Sequence, residues 1–111
     1  MRGTGIMNCL EVISVRIAKQ HDFDKALKLC SEASLPSESD GFNGMSIYRS
    51  DGYSSDLIIH IHWIFNSSAQ KKSLLGKQLA LALSSYGIVS HILLIDQQVV
   101  SRAQHQTRIK I

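Results

Sequence analysis

The sequence predicts an α+β domain with the element order β-α-β-β-α-β and an antiparallel sheet. Three observations carry this. Four separate runs read as strands, the first and third with period-two alternation and the fourth as a nearly continuous apolar run. Two stripes with helical spacing lie between the first and second runs and between the third and fourth. An Asp51-Gly52 turn signal separates the second and third runs, as in a hairpin.

The first strand is residues 9–18, CLEVISVRIA. Ile13, Val15 and Ile17 share one face, and Val12, Ser14 and Arg16 share the other. Asp22 is a candidate N-cap for the first helix, and Phe23, Ala26, Leu27 and Cys30 form its apolar stripe at i, i+3, i+4 and i+7. The helix is expected to end near Ser34, before a loop over 35–44 rich in Ser, Pro, Gly and acidic residues. A second strand is expected over 45–49. The third strand, residues 57–65, has the sequence LIIHIHWIF. Leu57, Ile59, Ile61, Trp63 and Phe65 make a wholly apolar face, whereas Ile58, His60, His62 and Ile64 make the other. Asn66, Ser67 or Ser68 is expected to cap a second helix with a stripe of Leu75, Leu79, Ala82, Leu83 and Tyr86, and Gly87 is its expected stop. The fourth strand, residues 88–95, IVSHILLI, is apolar enough to suggest burial on both faces.

This order is the ferredoxin-like plan, in which both helices cover one face of the sheet. The expected organisation is a flexible N-terminal extension over 1–8, one domain over 9–95, and a tail or extra strand over 96–111. The second sheet face carries Val12, Ile58 and Ile64, too much apolar surface to leave in water. A homodimer that packs two such faces together would cover it and enclose a cavity.

Length and composition set the remaining bounds. The 111 residues suffice for one core. Cys9 and Cys30 fall at apolar positions and read as reduced thiols, so a cytoplasmic protein is expected. No run of 18 apolar residues suggests a membrane span, and residues 1–7, MRGTGIM, lack the apolar core of a signal peptide. Charge is uneven. Residues 1–56 hold six basic and eight acidic side chains, and residues 57–111 hold six basic and one acidic, Asp96. Without a basic run interleaved with aromatics, nucleic acid is not expected as a partner.

The chain resembles the dimeric α/β-barrel superfamily and, within it, the antibiotic biosynthesis monooxygenase-like domains. The resemblance covers residues 9–95. It rests on VISVRIA leading into a helix, on GFNGMSIYRS, and on a third strand ending in Trp63. It implies a homodimer and a cofactor-independent monooxygenase-like activity on a small aromatic or quinone-type substrate. Trp63 is the residue it carries over to the substrate site, although its place on the wholly apolar face of its strand makes core packing the default expectation. Haem-degrading members use a histidine of the second helix as an axial ligand. Residues 68–86 contain none, so no cofactor is expected.

His60 and His62 point the same way, about 7 Å apart along the strand. A histidine can take or deliver a proton near neutral pH, and an arginine can hold a carboxylate, phenolate or enolate. The expected catalytic residues are therefore His60, His62 and Arg16, with Ser14, Ile58, Ile64 and Trp63 lining the substrate site. The bland reading places Arg16 in solvent at a strand end and bonds the histidines to backbone or water. A metal site of His60, His62 and His91 is a weaker alternative, because a His-x-His pair needs a third ligand; Glu11 is the other candidate, but it shares the Ile13 and Val15 face assigned to the helices. Two other functions stay open: a non-catalytic ligand-binding or sensory barrel, and an interaction protein whose basic tail meets an acidic partner.

Overall fold

The computed structural model describes residues 7–65 and 71–97. It has the element order β1 (Met7–Ile17), α1 (Phe23–Ser31), β2 (Phe42–Arg49), β3 (Asp56–Phe65), α2 (Leu74–Leu83) and β4 (Gly87–Ile95). The strands form one sheet in the order β2-β3-β1-β4. Every neighbouring pair is antiparallel. This is an α+β arrangement of four strands and two helices, compatible with the ferredoxin-like plan.

The period-two pattern of β1 and β3 decides which face the helices cover. Cys9, Glu11, Ile13, Val15 and Ile17 of β1 are buried, as are Leu57, Ile59, Ile61 and Trp63 of β3. They pack with Phe23, Ala26 and Cys30 of α1 and with Leu75, Leu79 and Leu83 of α2 in one core. The helical stripes thus meet the apolar strand face, because each buries what the other would otherwise expose to water. Burial also pushes the Cys30 thiol up to about 11, which leaves it unreactive.

Several boundaries differ from expectation. Asp22 makes no side-chain cap bond, because it lies in a short 3-10 turn over Gln20–Asp22 that leads into α1. β2 begins earlier than expected, at Phe42, and its pairing with β3 shifts register between Phe42 and Met45. The shift brings Phe42 edge-on to Trp63, with ring centroids 5.7 Å apart. The cap of α2 is Ser73, whose Oγ accepts the Gly76 N–H at 2.9 Å. Asn66, Ser67 and Ser68, the expected caps, lie outside the described residues, as do residues 1–6 of the extension expected over 1–8 and residues 98–111 of the tail expected over 96–111; Met7 and Asn8 are instead the first residues of β1. Gly87 begins β4 instead of ending α2; the helix stops at Leu83 with Ser84 as its C-cap.

The largest departure concerns β4. Its apolar run is not buried on both faces of this chain. Val89, His91 and Leu93 face the helices and are half-buried, whereas Ile88 is 81% exposed and Ile92 and Leu94 are 47% and 48% exposed. Among the described residues no helix covers that side, so the run reads as continuous while the environment alternates. No helix among the described residues is long and apolar enough to cross a membrane.

Ile59, with no exposed surface, reports on the core. Ile59→Ala is expected to lower unfolding stability by about 2–5 kcal/mol, read from denaturant titration, and a loss below about 1 kcal/mol would contradict this core assignment.

Candidate functional site

Polar chemistry collects on both faces of the sheet. On the open face, β3 presents Ile58, His60, His62 and Ile64, and β1 presents Leu10, Val12 and Ser14. Antiparallel pairing sets Leu10 against His62, Val12 against His60 and Ser14 against Ile58. β2 adds Ser46 opposite His60 and Tyr48 opposite Ile58. The His60 and His62 rings are 6.4 Å apart, and Tyr48 meets His60 edge-on at 4.9 Å. Burial lowers the His60 pKa, and the neighbouring His62 lowers it further. His60 is therefore neutral near pH 7 and able to accept a proton.

Arg16 is not brought to the histidines. It pairs with Asp56, four positions along β1 from the residue opposite His60, or about 13 Å of strand. Its Nε and Nη2 donate to the two Asp56 carboxylate oxygens at 2.7 and 3.0 Å. The guanidinium also lies 4.4 Å from the Tyr53 ring centroid. Hydrogen bonding from Arg16 holds the Asp56 carboxyl below its ordinary value. The arginine expected to hold a substrate anion thus already has an anion. Ser14 and Arg16 instead flank a shallow cavity of about 230 Å³ with Asp56, Ile88 and Ser90.

Trp63 lies on the opposite, helix-covered face and is 5% exposed, so it does not line the histidine face. Its ring stacks on Phe65 at 5.9 Å, and its Nε1 donates to Glu11 Oε1 at 2.8 Å. His91 is on that same face. The His60, His62 and His91 set is therefore split across the sheet and cannot share one metal ion.

The helix face holds a cluster that joins Glu11 and His91, two residues weighed from the sequence only as separate candidates for a third metal ligand. Glu11 has no exposed surface. Its Oε1 accepts from Trp63 Nε1 and from Ser73 Oγ at 2.7 Å, and its Oε2 accepts from Ser73 N at 3.0 Å. His91 Nε2 lies 2.7 Å from the same Oε2. A carboxylate can only accept, so these four contacts match an anion and put the His91 proton on Nε2. Gly76 makes the approach possible: a Cβ there would collide with Oε2 and stand 2.9 Å from His91 Nε2. The available signal was Glu11 interrupting the apolar face of β1 and His91 interrupting the apolar run of β4. Their meeting depends on register. Glu11 stands opposite Leu93 and Ile13 opposite His91, so the two polar residues are diagonal neighbours.

No family model, curated protein or solved structure matches this chain.

Two predictions follow from the faces separately. Glu11→Gln turns a donor toward fixed donors, and is expected to cost about 3–5 kcal/mol, measured by denaturant unfolding followed through Trp63 emission. A change under about 1 kcal/mol would remove the cluster as an organising contact. The second concerns pH. The folded-state pKa of His60 is below its unfolded value, so the unfolded chain binds the proton more readily. Its contribution to stability is therefore lost as pH falls through the unfolded value of about 6.5, and levels off below the folded one. Thermal unfolding of the wild type should weaken more between about pH 8 and pH 5.5 than that of His60→Gln. Parallel pH curves would contradict it.

Proposed function

We propose that this chain works as a homodimer whose open sheet faces pack together around a cavity for a small hydrophobic or aromatic ligand. The carrying observation is the uncovered face itself, where Ile64, Ile88, Ile92, Leu94 and Tyr48 are all more than a third exposed around a half-buried histidine pair. Four strands of about nine residues present a face of about 600 Å², and two such faces about 1,200 Å² in total. That is the lower end of a specific protein interface. Two buried free thiols suit a reducing, cytoplasmic setting.

In this reading the reaction is monooxygenase-like, as the resemblance to antibiotic biosynthesis monooxygenase-like domains implies. His60, neutral near pH 7, removes a proton from a phenol or quinone-type substrate. The resulting anion is electron-rich enough for its own carbon to react with dioxygen. One oxygen atom stays on carbon, and the other leaves as water. His62 returns or relays the proton, and Ile58, Ile64 and Ser14 line the substrate cavity. No cofactor is needed, because the substrate supplies all four electrons that dioxygen takes up: a ring carbon gains the C–O bond and loses its hydrogen as the O–O bond breaks, and the phenol leaves as a quinone, its O–H and C–H hydrogens departing in the water.

One observation favours a second reading. The Arg16–Asp56 pair leaves the cation at the margin of this face already neutralised, which suits a barrel that holds an uncharged metabolite without turnover.

Native mass spectrometry and light scattering test the assembly. The wild type is expected at twice the 12.3 kDa chain mass, and Ile92→Lys at the single-chain mass. A monomeric wild type would overturn the shared cavity. With a dimer in hand, oxygen uptake with a hydroquinone or anthrone decides between the readings. Uptake abolished by His60→Ala supports catalysis, whereas saturable binding without uptake supports the ligand-holding barrel.

A further inference from the structure

A separate cavity lies at the end of the sheet where β1 runs into α1 and β2 turns into β3. Its volume is about 310 Å³. The apolar part is Ile17, Ala18 and Phe23; the polar part is Gln20, Ser54, Ser55 and Arg49. The two sides are tied together by the Ile17 N–H donating to the Ser55 carbonyl at 2.9 Å. No carboxylate lines it among the described residues.

Arg49 is held in place without being neutralised. Its guanidinium lies over the Phe23 ring at 3.8 Å from the centroid. Phe23 is itself 7% exposed, so the platform is fixed by the core. Stacking on an aromatic face uses the π-surface of a guanidinium and leaves its N–H edge for other acceptors. Among the described residues Arg49 forms no ion pair, in contrast to Arg16 on the same hairpin end. The hydroxyls of Ser54 and Ser55 and the amide of Gln20 likewise have no hydrogen-bond partner there. Four donor side chains thus converge around an apolar floor, with the charged one already ordered.

We propose that this cavity binds a small organic anion, with its carboxylate or phosphate group on Arg49, Ser54 and Ser55 and its apolar body against Ile17 and Phe23. The site is on the end of the sheet, away from His60 and His62, and does not depend on the dimer or on the reaction proposed above. A planar guanidinium fork suits either head group, whereas two hydroxyls and an amide supply the extra donors a phosphate's third oxygen needs. Pre-ordering of Arg49 lowers the entropy lost on binding.

Titration of the full chain with phenyl phosphate, benzoate and uncharged benzyl alcohol, followed by amide chemical shifts, tests this. Expected are saturable shifts at residues 17–23 and 49–55 for one or both anions, with a dissociation constant of about 1 mM or tighter. Benzyl alcohol is expected to bind at least about tenfold more weakly. The tighter of the two anions identifies the head group. Arg49→Gln should weaken anion binding by about tenfold or more, and the Ser54→Ala/Ser55→Ala pair, which leaves the Phe23 stack intact, by several-fold. Equal binding of all three compounds, shifts confined to the His60 and His62 face, no saturable shifts, or affinity unchanged in both variants would each overturn the site.

Discussion

A carboxylate in an apolar core must be met by donors on all sides, or it does not stay there as an anion. Glu11 is met by four groups from three other parts of the chain. Trp63 comes from β3, Ser73 from the start of α2, and His91 from β4. Each of these contacts fixes something else. The bond to Trp63 orients the indole against which Phe42 and Phe65 pack. The two bonds to Ser73 position the residue that caps α2. The contact with His91 ties the edge strand β4 to the central strand β1. Gly76 belongs to the same arrangement, since the carboxylate occupies the space its side chain would need. Core packing stabilises the domain, but it tolerates exchange of apolar side chains of similar volume. The Glu11 network is directional, and so specifies one register between sheet and second helix.

The same sheet has a different chemical character on its other side. There the polar groups sit at the surface of an apolar field and are not locked together. The His60 and His62 rings stand 6.4 Å apart, and Tyr48 meets His60 edge-on. The open face thus keeps its polar side chains partly accessible, whereas the helix face ties Glu11 and His91 into the scaffold.

Element order, the two strand faces and the helical stripes were legible because periodicity reports local exposure directly. The split of His60 and His62 from Ile59 and Ile61 follows from alternation alone. The role of β4 was not legible, because an apolar run looks the same whether one face or two are covered. The cap at Ser73 was missed for a related reason: three earlier residues had equally good capping chemistry, and no local pattern shows that Ser73 meets Glu11. Arg16 was assigned by residue type to a substrate anion. Its pairing with Asp56 lies forty residues away in sequence and comes from strand register.

By itself, then, the sequence determined an α+β chain of four strands and two helices, with a histidine pair on the face of β3 opposite its wholly apolar one. It could do so because a side chain's face depends only on its position along its own strand or helix. The tertiary structure alone decided which polar groups meet: Glu11 with His91, Arg16 with Asp56, Arg49 over Phe23, and His91 away from His60 and His62. Those pairings depend on sheet order and register, which bring together residues that no local pattern connects.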